Sequence, residues 1–171
     1  FLQRYPGGLT HPEMLEISKK HKMEKVSSLA QECFKLEMFS NSQNIIESMI
    51  KLVNSSSMVS LFEKPKFRDF ANQLDSDRKD LIVHGVKELL HGNGESGFEI
   101  LVDMLKEDKL AKWTLLTVIP AYYSPKKEVF VKPTTTKNVI NYFELEDLIY
   151  KPLPSFNFYK RYRDEINEMK E

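Results

Sequence analysis

The chain holds one cysteine, Cys33, so no intrachain disulfide can staple it. Stability has to come from a packed core, and a lone thiol fits a reducing compartment. Long apolar runs are missing as well. The most apolar stretch, Trp113 to Ile119, falls well short of the ~20 residues that a membrane-crossing helix needs. No basic segment followed by an apolar one opens the chain in the manner of a secretory leader. Neither sign of charge is in excess, because 25 Lys and Arg face 25 Asp and Glu. Without a net field to gather nucleic acid or an anionic membrane, any charge-driven partner must read a local patch. Catalytic constellations are absent too. There is no H-E-x-x-H, no cysteine pair and no Gly-x-Ser-x-Gly, so neither a zinc site nor a hydrolase elbow is expected.

What is present suits a soluble globular protein. Of 171 residues, 41% are hydrophobic and 29% charged. A chain of this size buries roughly 70% of the surface that its unfolded form exposes. We expect a single helical domain over residues 1–171. It begins at Phe1 without a Met and ends in charged, helical-looking sequence, so it is expected to be part of a slightly longer chain.

One stretch organises the reading: WTLLTVIPAYYSPKKEVFVKPTTTK, from Trp113 to Lys137, which contains the one tryptophan. Its apolar start reads as core and leans to helix, punctuated by Pro120 and Pro125. Glu128 to Lys132 (EVFVK) is β-branched and aromatic between breakers, which predicts a short strand. After Pro133, Thr134 or Thr135 is expected to cap a helix through Val139 and Tyr142. Leu148 to Lys151 predicts a second short strand, closed by Pro152 and Pro154.

Elsewhere the apolar spacing of three and four predicts helices. One starts near Thr10 or His11 with Pro12 in its first turn, after an irregular Phe1 to Leu9. Others carry Val26, Ala30 and Cys33; Ile45, Met49 and Val53; and Phe67, Phe70 and Leu74. Asp75 or Ser76 caps a helix through Ile82 and Leu89. Ser96 opens one through Phe98 and Leu105, and Ser155 caps a last one through Tyr159 and Ile166. The predicted fold is mainly α, with about seven helices and a minimal two-stranded β element at 128–132 and 148–151.

RYPGG, LFEKPKFRDF, the Trp113–Lys137 stretch and YKPLPSFNFY together resemble a family of bacterial proteins of unknown function, whose members carry PGG, FEK and VKPT motifs in this order. The resemblance runs from Arg4 to about Tyr162. It implies a bacterial, cytoplasmic protein and a longer family chain, and it brings no activity with it.

Several motifs reduce to structure. Gly92-Asn93-Gly94-Glu95-Ser96-Gly97 spells G-x-G-x-x-G, but a helix and not a strand precedes it, so it reads as a helix stop followed by a helix start. His84 and His91 are seven residues apart on one helix, about 10 Å by helix rise, too far to share an ion. Glu107-Asp108-Lys109 has the letters of a nuclease pair but sits at a helix end. Cys33 falls on an apolar stripe and reads as an inert thiol. Lys19, Lys20, Lys22 and Lys25 read as a solvated face.

The remaining cluster is Lys126, Lys127, Lys132, Thr134, Thr135 and Lys137. Lysines around a helix start can hold a phosphate, because the open first-turn N–H groups and the positive dipole end face it. The bland alternative is a solvated loop with a threonine cap. The expectation for function is a non-enzymatic binding module that contacts phosphate or nucleic acid through 126–137. The alternative is a protein-interaction or structural module of a larger complex. No catalytic residue, metal, cofactor or membrane partner is expected.

Overall fold

The computed structural model describes residues 3–170, without the side chain of Leu9. Part of the irregular start, and Glu171, therefore lie outside the described residues. The protein is mainly helical. Among the described residues nine α-helices follow one another: α1 Pro12–Lys20, α2 Met23–Cys33, α3 Ser42–Ser55, α4 Glu63–Asn72, α5 Ser76–His91, α6 Gly94–Lys106, α7 Trp113–Tyr123, α8 Pro133–Tyr142 and α9 Phe156–Glu168. Short 3₁₀ stretches cover Gly8–Thr10 and Leu36–Ser40. There are more helices than the seven expected, in part because Lys22 adopts a left-handed conformation (φ 51°) that separates α1 from α2.

Most predicted helix starts are where a side chain can accept from the open first turn. His11 Nδ1 accepts from the N–H of Glu13, Asp75 from Arg78, and Ser155 from Phe158. At α6 the cap is Asn93 and not Ser96, so the helix begins earlier than expected. The turn before α4 carries a capping box that was not expected. Ser60 Oγ accepts from the Glu63 N–H at 3.2 Å, and the Glu63 carboxylate accepts from the Ser60 N–H at 3.3 Å.

The apolar run from Trp113 becomes the central helix. Every residue from Trp113 to Tyr122 is buried, and α2, α3, α5 and α6 all touch α7. A helix that is apolar all round belongs inside a protein. Pro120 lies within α7 and does not end it. The two threonines that break the apolar surface are both satisfied. Thr117 donates to the Trp113 carbonyl at 2.7 Å, and Thr114 donates to Glu63 at 2.8 Å.

The two-stranded element is not formed, and no strand occurs among the described residues. The segments 128–132 and 148–151 do contribute core, through buried Val129, Val131 and Leu148. Side chains of α7 meet backbone groups in both segments. The Val131 N–H donates to Thr117 Oγ1 at 3.0 Å, and the Lys151 carbonyl accepts from Trp113 Nε1 at 2.7 Å. Buried backbone polar groups require partners, and a strand ladder is only one way to supply them.

Candidate functional site

Residues 128–132 run back along α7 from its C-terminal end to its N-terminal end. Tyr159 of α9 fixes the early part, donating to Glu128 at 2.6 Å, while Thr117 holds Val131. Glu128 also accepts from Arg163 Nη1 at 3.2 Å. This course splits the basic cluster. Lys126 and Lys127 stay in the turn after α7, where the Lys127 carbonyl accepts from Asn167. Lys132 is delivered to the opposite end, about 16 Å away by the rise of an eleven-residue helix.

At that end lies a groove of about 560 Å³, formed where the starts of α4, α7 and α8 meet the segment that carries Tyr150 and Pro152. Lys112 and Lys132 are both on its wall, as are Thr114 and Thr134. Each lysine is the N-cap residue of its helix, α7 and α8 respectively, and neither helix has a side-chain cap. Thr134 and Thr135 therefore do not cap α8 as expected. Pro133 occupies its first position, and both threonines lie in the first turn. First-turn N–H groups have no partner within a helix, so two positive helix ends meet at a wall that carries two lysines.

The acid on the groove wall is Glu63, and both of its oxygens are engaged. Oε1 accepts from Thr114 and Oε2 from the Ser60 N–H. Lys112 and Lys132 against Glu63 leave the wall one positive charge in excess. Neither lysine takes part in an ion pair among the described residues. Lys137 stands over the Tyr150 ring at 5.5 Å and adds a third cation behind that wall. Burial raises the Tyr150 phenol above its ordinary value.

Of the six predicted residues the groove thus takes Lys132 and Thr134. Lys137 touches one of its walls, Thr135 lies in the adjoining turn, and Lys126 and Lys127 are remote. Lys112, Ser60, Glu63 and Thr114 were missed. The Ser60–Glu63 spacing was a legible capping signal. Lys112 carried none, since its place depends on where α7 ends in space.

The other motifs resolve structurally. Glu107 and Asp108 both accept from Arg78, at 3.4 and 3.0 Å. His84 is exposed, while His91 bonds the Phe34 carbonyl at 2.7 Å. Cys33 is half-buried. Among the described residues no three His, Cys, Asp or Glu side chains gather as a metal site, and no helix is long and apolar enough to cross a membrane. No family model, curated protein or solved structure matches the chain.

Proposed function

We propose that this protein is a non-enzymatic binding module that holds phosphate groups, those of nucleic acid in particular, in the groove at the starts of α7 and α8. The observation that carries the reading is the pairing of Lys112 and Lys132, each at the head of an uncapped helix, on one concave wall. Helix starts of this kind attract anions, and lysine adds a mobile point charge. The groove also falls within the roughly 300–1,000 Å³ common for ligand sites. The resemblance to a bacterial protein family belongs to this proposal as context and supplies no activity.

Binding to a mixed single-stranded and duplex DNA pool at low salt tests it. Lys112→Ala with Lys132→Ala should weaken binding strongly and flatten its salt dependence, by about 0.7–0.9 in logarithmic slope for each phosphate that is no longer neutralised. Lys126→Ala with Lys127→Ala should leave both unchanged. Equal effects from the two pairs would show diffuse attraction and no groove. A second reading, a protein contact, has the exposed Leu61, Phe62, Ile149 and Tyr142 in its favour. It predicts association that salt hardly affects.

A further inference from the structure

We infer that the nucleic acid accepted by the groove is single-stranded, with an unstacked base laid on the Phe62 ring at its rim; this rests on the phosphate-groove reading above. Phe62 is 83% exposed, and Leu61 beside it is 80% exposed. Phe62 is flanked by Ser60 and Glu63, and both of these line the groove. The ring is not on a loose loop. The reciprocal Ser60–Glu63 bonds close the turn around it, the Lys64 N–H donates back to the Ser60 carbonyl at 3.3 Å, and Lys64 Nζ donates to the Asn54 carbonyl at 3.1 Å. The backbone that carries this exposed ring is thus held in a closed turn, and its chain neighbours Ser60 and Glu63 line the cationic concavity. Sites for single strands combine these two parts, a basic channel for the backbone and a ring for the bases.

Concavity argues against a duplex. Reading paired bases requires a helix or ribbon that enters a groove of the nucleic acid, and here the protein supplies the hollow. A volume of about 560 Å³ admits a nucleotide, while a duplex is too wide to enter and can offer the lysines only its backbone. Tyr150 is no competing platform, because Lys137 covers one face and Trp113 and Phe158 pack around it. Apolar exposure alone would suit a protein partner equally. Lys112 and Lys132, without ion-pair partners in the same groove, favour a polyanion with exposed rings.

The test uses fluorescence anisotropy with a labelled oligothymidine and a duplex of equal length, for the parent protein, Phe62→Ala, Phe62→Trp, and the Lys112→Ala/Lys132→Ala pair. The strand should bind more tightly than the duplex. Phe62→Ala should weaken strand binding about tenfold, leave the duplex unaffected, and be rescued by Phe62→Trp. The lysine pair should lose both ligands. If Phe62→Ala binds the strand like the parent while the lysine pair loses it, the stacking inference is overturned and the groove reading stands. Duplex binding equal to strand binding also overturns it. If the parent binds neither ligand at low salt, the groove reading itself fails. Sedimentation that shows self-association abolished by Phe62→Ala, with strand binding intact, would make the rim a protein contact and overturn the inference.

Discussion

At the scale of single residues, Tyr159 supports the proposed groove without lining it. It is buried, stacks on Phe98 at 5.4 Å between ring centres, and holds Glu128 at the start of the segment that delivers Lys132. Burial, then the neighbouring Glu128 charge, pushes its phenol well above the ordinary value. Burial likewise raises Tyr162, with the Thr136 hydroxyl pulling weakly the other way. Below about pH 10 these phenols are neutral in both folded and unfolded chains and leave stability unaffected by pH. As pH rises past that value the unfolded chain ionises while the fold resists, so stability falls. Chemical denaturation at stepped pH should show an alkaline decline, smaller in Tyr159→Phe. At neutral pH the same change should cost about 1–3 kcal/mol, because the bond to a carboxylate is removed. A Tyr159→Phe protein with the parent's alkaline limb would assign the decline to other groups.

At the scale of elements, the packing of α5 on α6 explains Gly97, the last glycine of the stretch that spells a dinucleotide motif. A Cβ at Gly97 would overlap the backbone of Leu89 and of Gly85 on α5. A Cβ at Gly85 would come within 2.9 Å of Ile100 on α6. Gly85 and Gly97 allow the two helices to approach closely, and no phosphate is required to account for Gly97. Gly94 is different, since a Cβ there meets its nearest atom, on Phe156, at an ordinary 3.8 Å. Gly97→Ala should destabilise by about 1–3 kcal/mol, as overpacking does. Gly94→Ala should be close to neutral. Urea unfolding of the two variants measures the contrast, and equal midpoints would remove the close-approach explanation. The same scale shows why the strands failed: α7 offers Thr117 and Trp113 as partners at the places where a ladder would otherwise be needed.

At the scale of the molecule, burial is uneven. One hydrophobic cluster runs from Val26 to Tyr162 and takes Trp113, Leu115, Leu116, Val118, Ile119 and Tyr122 from α7. Helix α1 has no buried residue, and its Leu15 and Ile17 are nearly half exposed. Local opening follows buried apolar contact, so the amides of α1 after Pro12 should exchange fastest among the helices and those of α7 slowest. Hydrogen exchange followed by mass spectrometry reads this directly. Protection of α1 equal to that of α7 would mean that α1 is held by something besides this core. The balanced charge has a matching consequence. With no net field, any attraction for an anion has to be local, and the Lys112–Lys132 wall at two helix starts is where we propose it.

The sequence by itself determined the mainly helical class, because apolar spacing of three and four is a local property that each segment carries wherever it packs. It narrowed the helix starts to Thr10 or His11, to Asp75 or Ser76, and to Ser155 for the same reason, a cap acting within one turn, and the structure chose His11 and Asp75. It marked the Trp113 run as core through composition alone. Only the tertiary structure decided what 128–132 and 148–151 became, since β-branched residues favour an extended backbone but cannot choose who satisfies it. It also decided which lysines meet. Lys126, Lys127 and Lys132 are neighbours along the chain, yet an extended segment laid back along α7 sends them to opposite ends, and Lys112, twenty residues from Lys132, becomes its companion. Proximity in sequence predicts proximity in space only within a turn or so of helix, and a groove between three helix starts lies beyond that range.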